Sequence, residues 1–249
     1  MRRIGLALAS LLLAVAAHAA DGRKYAVLSL IGDEMLVVGA QPATGQRLDR
    51  NSRNFLRLED PIIDKTVLLA ANELLKRLTG TDPVLLFARE RPIYAMQQQL
   101  MNEGQGMVNL LGHIRPLARG TGATHLVLFT KARREARMQL ADTALGVGTV
   151  EGVGFYVDPF TEVIVRDRQQ NAVGFVAAFA YFDVALVDLD KGTIVAEQRV
   201  SGSRTMAAPN SVATEVWSGI SGAEKMRMLQ EIIRNEIARV VPALLKESP

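Results

Sequence analysis

Lys131, Arg133, Arg134 and Arg137 fall within the short run KARREAR. Ammonium and guanidinium groups at that density can hold a phosphate, an anionic glycan or a lipid headgroup, with guanidinium adding bidentate geometry. Glu135 stands among them, and a solvated strand extension with charges paired along it is the plainer account. Asp183 is the second chemical signal. It interrupts an alternating apolar face made by Phe179, Tyr181, Ala185 and Val187. A buried carboxylate without a partner is costly, so Asp183 either marks a site or meets solvent or an arginine at a bulge or sheet end. These five residues form the candidate ligand-binding set.

The remaining chemistry is sparse. Beyond the leader the histidines are His113, set among Leu110, Leu111 and Ile114, and His125, which begins a strand. A metal site wants ligands grouped at short spacing, and none are grouped here, so no metal is expected. Cysteine is absent, which excludes a disulfide framework, a thiol nucleophile and thiolate ligation. No Gly-x-Ser-x-Gly elbow occurs, and a hydrolase triad assembled only in space stays open as an alternative. Gly146, Gly148, Gly152 and Gly154 invite a phosphate-loop reading. That chemistry needs a helix after the loop, whereas Val153 to Val157 reads as extended and no Gly-Lys-Ser/Thr follows. A loop or a glycine-bearing strand pair is expected instead. No catalytic residue and no cofactor are expected.

The elements that must position these residues centre on residues 172–200, AVGFVAAFAYFDVALVDLDKGTIVAEQRV. The stretch reads as two strands joined at Asp190-Lys191-Gly192, the first apolar on both faces and therefore central in a sheet. Before it, Tyr25 to Ile31 and Met35 to Val38 read as a hairpin about Gly32-Asp33-Glu34, with a short strand at Phe55 to Leu58. Asp60-Pro61 opens a helix over 61–79 that Gly80 ends, the Asp60 carboxylate serving as cap. Strands at 83–88 and 125–130 enclose helical pieces at 92–102 and 107–118. Ser221 to Lys246 forms a long terminal helix with capping-box spacing at Ser221 and Glu224, which Pro242 is expected to kink or end early. The fold class is an α/β (α+β) sandwich: a mixed β-sheet with a central long hairpin, covered on each face by helices, of which 61–79 and 221–246 are the natural covers.

The first residues supply an address. Arg2 and Arg3 precede the apolar run Ile4 to Ala16, and Ala17-His18-Ala19 suits cleavage between Ala19 and Ala20. That apolar run is shorter than the ~20 residues that span a bilayer. Residues 1–19 therefore read as a secretory signal peptide, and 20–249 as one α/β domain with an irregular glycine-rich insertion around 131–170. The chain carries 29 basic and 26 acidic residues. Without Arg2 and Arg3 the balance is 27 against 26, a net charge of +1. That leaves no global field for nucleic acid, so no nucleic acid partner is expected. A periplasmic protein, exported by the general secretion route and carrying no acylated Cys, is the expectation.

The helix 61–79, the turn and strand GTGATHLVLFT, the hairpin YFDVALVDLDKGTIVAEQRV and the long terminal helix together resemble one periplasmic α/β domain. It is shared by CsgG-type curli secretion proteins, penicillin-binding-protein activators and the amino-terminal domain of TolB. The resemblance spans about 130 residues of sequence pattern. Residues 131–170 and the opening hairpin depart from it, and the lipobox Cys of many relatives is missing. It implies an envelope assembly or interaction role and carries over no catalytic residue. CsgG-type proteins build a barrel from inserted hairpins, but residues 172–182, apolar on both faces, lack the alternation of a transmembrane strand. The leading expectation is thus a non-enzymatic envelope protein acting through protein contacts at 142–160 and 131–137. A homo-oligomer stays open, and no transmembrane helix is expected. The alternative is a binding module for a small anionic or glycan ligand.

Overall fold

The structure, a computed structural model, describes residues 22–42, 49–88, 91–103, 106–140, 143–165, 170–207 and 212–247; the expected leader, with the cleavage expected between Ala19 and Ala20, lies outside them. A mixed nine-stranded sheet forms its centre. Its longest strand is β10 (Gln170–Asp188), which turns at Gly192, φ 71°, into β11 (Thr193–Met206). The expected central hairpin is therefore present. One edge of β10 carries β11 from Val176 to Asp188. The other edge is shared end to end: β9 (Thr149–Val165) pairs as far as Tyr181, and β5 (His125–Lys131) takes over from Phe182.

That hand-over divides the sheet into two wings. Beyond β5 lie β1 (Tyr25–Ser29) and β4 (Val84–Phe87), all three parallel. Beyond β9 lie β2 (Glu34–Gly39) and β3 (Ser52–Arg57). The hairpin expected about Gly32-Asp33-Glu34 does not form, because β1 and β2 belong to different wings. Every residue of β1 is buried. A strand of that kind needs neighbours on both edges and cover on both faces, which folding back on β2 would not provide.

The face carrying Val176, Ala178, Phe182, Val184 and Leu186 is covered by α1 (Ile62–Thr79), α4 (Ala213–Gly219) and α5 (Gly222–Glu247) in one continuous core. α1 and α5 thus share a face, and Gln230 donates from α5 to Thr66 Oγ1 on α1 at 3.1 Å. They do not take one side each as the sequence suggests. The opposite face is covered in two parts. α2 (Arg91–Glu103) and α3 (Gly106–Arg119) pack over Ala26, Leu28, Leu128, Ala185 and Val187. The hairpin β7 (Met138–Leu140) and β8 (Thr143–Leu145) borders a second cluster with Tyr156, Phe175, Phe179 and Tyr181. Two phenols hold the chain there: Tyr181 brackets the backbone of Arg137, and Tyr156 that of Val147.

Residues 131–170 are also more regular than the sequence implies, since β6 (Arg133–Glu135) through β9 occupy most of the described part. The glycines are explained by close approach. A Cβ on Gly154 would overlap the Leu36 carbonyl of β2, so glycine lets β2 dock on β9. Two helix ends differ as well. Asp60 makes no side-chain cap and pairs with Lys65 at 3.0 Å instead. α5 continues through Pro242 to Glu247, so proline does not end it early.

Candidate functional site

In an open sheet, ligands lodge outside the carboxyl ends of parallel strands, where outgoing connections part to opposite faces. That point here lies between β1 and β4. The chain leaving β1 reaches α1 on one face through β2 and β3, while the chain leaving β4 enters α2 on the other. A crevice of about 850 Å³ opens there, walled by Gly32 to Glu34, Phe55, Arg57 to Glu59, Pro61, Asp64, and Arg91, Tyr94 and Gln98 of α2.

Asp64 sits at its floor. It lies on the inner stripe of α1 with Leu68, Ala71 and Leu75, all buried, and is itself 5% exposed. Its Oδ1 accepts three hydrogen bonds: from Ser29 Oγ at 2.5 Å, Ile31 N at 3.1 Å and Gly32 N at 3.0 Å. They pin the turn after β1 to the first turn of α1. Gly32 permits this, since a Cβ there would come within 2.7 Å of the Asp64 amide nitrogen. The other oxygen, Oδ2, accepts one bond, from Tyr94 Oη at 3.2 Å. Burial raises the Asp64 carboxyl to about 6, against the Ser29 and Tyr94 bonds that favour its charge. Burial and the neighbouring Asp64 push the Tyr94 phenol above its ordinary value.

The strand ends around this floor are fixed by two further side chains. Gln97, 1% exposed, donates to Leu30 O and accepts from Lys131 N, both at 2.8 Å, and so extends the β1–β5 ladder past its last backbone rung. The Lys131 side chain, 3% exposed, places Nζ 2.6 Å from Asp33 and 3.0 Å from Glu34. Burial raises the Asp33 carboxyl and Lys131 opposes the shift. At the mouth, exposed Arg57 and Arg91 have no ion pair among the described residues. Arg57 stands opposite Glu34 across β2–β3, but Glu34 is engaged with Lys131.

The five residues singled out from sequence are dispersed. Lys131 is buried at the β5 end beside the crevice. Arg133 pairs with the buried Glu151 at 2.5 Å and reaches Asn102. Arg134 pairs with Asp183 and donates to Val200 O at 2.8 Å. Arg137 pairs with Glu135 in solvent. Asp183 lies where cover passes from the β7–β8 cluster to the α2–α3 cluster, so the break in its apolar face is a seam between cores. Among the described residues no group of acids and histidines could hold a metal ion. His113 lines a separate apolar hollow of about 490 Å³ between β4 and α3. His125 Nδ1 meets Thr124 Oγ1 at 2.9 Å.

The crevice residues went unnoticed in sequence because residues 32–34, 57–64 and 91–98 look unrelated there. One signal was readable: Asp64 is an acid on the buried stripe of a helix. No family model matches the chain, and no curated protein matches it.

Proposed function

We propose that this chain is an exported envelope protein that works by binding, and that it takes a small anionic ligand in the crevice between the carboxyl ends of β1 and β4. The observation that carries this is that Arg57 and Arg91, with no ion pair among the described residues, stand at the mouth of a hollow of about 850 Å³ at the switch point of the sheet. Guanidinium favours carboxylate, phosphate and sulfate groups. Among the described residues the hydroxyl lining the crevice is that of Tyr94, which burial and Asp64 hold protonated, and Ser29 Oγ beneath the floor is buried and committed to Asp64. Binding rather than turnover is the reading that follows.

Isothermal titration with inorganic sulfate tests it. Saturable one-site binding is expected, weakened at least about tenfold in an Arg57→Ala/Arg91→Ala double variant. Absence of saturable binding by the unaltered protein sinks the reading. The exported address is tested by amino-terminal sequencing of the periplasmic form, which should begin at Ala20.

A second reading is favoured by β3. All six of its residues are exposed, Phe55 and Leu56 included, and it is the outermost strand of its wing. An exposed strand edge accepts a partner's strand by backbone hydrogen bonds. This is the protein-contact role that the resemblance to CsgG-type, penicillin-binding-protein-activator and TolB domains implies.

A further inference from the structure

The two oxygens of Asp64 are in unequal surroundings. Oδ1 already accepts three donors, from Ser29, Ile31 and Gly32. Oδ2 has only the Tyr94 hydroxyl at 3.2 Å, and that hydroxyl also lies 3.5 Å from the Ala88 carbonyl, a second acceptor for its single proton. A carboxyl group so arranged protonates on Oδ2, because Oδ1 has no room for a proton among its donors. The residue is nine-tenths buried and lines the crevice. What it offers a ligand depends on its state: an ionised Asp64 selects a donor such as a sugar hydroxyl or an amine, and a neutral Asp64 selects an acceptor.

We infer that Asp64 acts in its neutral form, donating from Oδ2 to an oxyanion of the ligand, so that one proton from solvent enters the site with each anion. The inference rests on the anion-binding reading above and separates an oxyanion ligand from a neutral glycan.

Around Asp64 the lining sets Arg57 and Arg91, which favour an anion, against Asp33, Glu34 and Glu59, of which Lys131 occupies the first two and Glu59 opposes an anion. From the turn after β1, Asp33 and Glu34 face the site, and both are held by Lys131 from β5. Asp33 adds to the pressure that keeps Asp64 neutral. From β3 and its exit come Arg57 and Glu59, and α2 brings Arg91 and Tyr94. On α1, Lys65 is occupied by Asp60. An incoming anion would meet like charge on an ionised Asp64, and a hydrogen bond on a neutral one. With Asp64 raised by burial to about 6, the neutral form is populated at mildly acidic pH without cost.

Sulfate is the probe of choice because it does not titrate between pH 5 and 8, so any proton taken up belongs to the protein. Titration in two buffers of different ionisation enthalpy should show proton uptake at pH 7. Affinity should fall on the order of 20-fold between pH 5.5 and 7.5. In Asp64→Asn the amide oxygen can accept the same three donors while the NH₂ replaces the acid hydroxyl. Whatever its absolute affinity, that variant should bind sulfate with the pH dependence between 5.5 and 7.5 flattened. Glucose should not compete. Sulfate binding that depends on Arg57 and Arg91 but is independent of pH and takes up no proton overturns this inference and leaves the anion site standing. A folded Asp64→Asn protein that keeps the full pH dependence also overturns it. No sulfate binding at any pH overturns both. The proton-uptake measurement uses the unaltered protein, so the inference stays testable even if the variant fails to fold.

Discussion

Two charged regions of this molecule invite comparison, the basic strand β6 with its flanks and the crevice at the ends of β1 and β4. The first is conspicuous along the chain and quiet in space. Each of its guanidinium groups is matched: Arg133 to Glu151, Arg134 to Asp183, Arg137 to Glu135. The crevice is the reverse. Its charged residues come from three separate segments, yet they meet with two guanidinium groups that have no ion pair among the described residues and two acids raised by burial. Density of charge in sequence measures how much must be neutralised, whereas availability is decided by the partners that the sheet brings opposite. Function follows availability.

The comparison breaks most sharply if the turn that assembles the crevice is forced apart. Gly32→Val puts a Cβ within 2.7 Å of the Asp64 amide nitrogen and 2.8 Å of its carboxyl carbon. Backbone must move, because the nearest atom is not the end of a flexible side chain. A loss of about 3 kcal/mol in urea unfolding is expected, together with loss of sulfate binding. Retention of both would mean that the turn is not held as described.

Next in size is the pH dependence that Asp64 gives to stability. Its folded carboxyl titrates at about 6, above the ordinary value of 3.8. Between those values the folded chain binds a proton that the unfolded chain does not, so this group's contribution is greatest below about pH 4. It is lost as pH rises through about 6, a swing of roughly 3 kcal/mol at most. Asp49, lowered by its bonds to Thr149 and Arg53 although its burial opposes them, pulls in the opposite sense, as does Asp188. The informative quantity is therefore the difference from Asp64→Asn. That variant should match the unaltered protein at pH 4 and exceed it in stability at pH 7. Parallel curves would remove the buried acid from the account. Stabilisation by a substitution at a site is the usual sign that the site costs the fold something.

Lys131 belongs to the basic run by sequence and to the crevice by position, so it tests the boundary between the two regions. Its removal in Lys131→Met leaves Asp33 and Glu34 side by side without the buried cation they share, with exposed Arg57 opposite Glu34 across β2–β3. Both carboxylates retain some access to water, which reduces the penalty below that of a fully buried pair, to about 2 kcal/mol. Thermal unfolding at pH 7 reads it, and recovery of stability at pH 5 is expected as Asp33, already raised by burial and then without the opposing Lys131, takes up a proton. A loss that persists unchanged at pH 5 would point to packing of the lysine stem instead.

The sheet was legible where one strand's composition settles its place. Residues 172–187 are apolar on both faces, and they became β10 with cover on each side. The helices over 62–79 and 222–247 followed from their stripes and from Gly80, which takes φ 72°. What could not be read was assignment to a wing. β1 and β2 are adjacent in the chain and both strand-like, and only their partners β4, β5, β3 and β9 separate them. The same gap hid the site. Pairing across 49 residues joins Arg134 to Asp183, and pairing across 97 joins Lys131 to Glu34. Neither separation leaves a local pattern, so the basic run looked like a site and the crevice did not. Asp64 alone carries a local signal, an acid spaced with the buried Leu68, Ala71 and Leu75 on one helix, and the sequence reading passes over it.

The smallest effects belong to the strand that looked most functional, and their ranking is itself a test. Arg134 and Asp183 are each about three-quarters buried as side chains, at 24% and 25% exposure, and Arg134 also donates to the Val200 carbonyl. Arg134→Ala would leave Asp183 in the seam between two apolar clusters with its cation gone, a loss of about 1–2 kcal/mol. Arg137 and Glu135 are 71% and 69% exposed, and both remain hydrated when separated. Arg137→Ala should lie within about 0.5 kcal/mol of the unaltered protein, as exposed pairs do. Neither change should alter sulfate affinity, because neither residue lines the crevice. If Arg137→Ala weakened sulfate binding while leaving stability untouched, the basic strand would be the anion site after all, and the contrast between the two regions would be inverted.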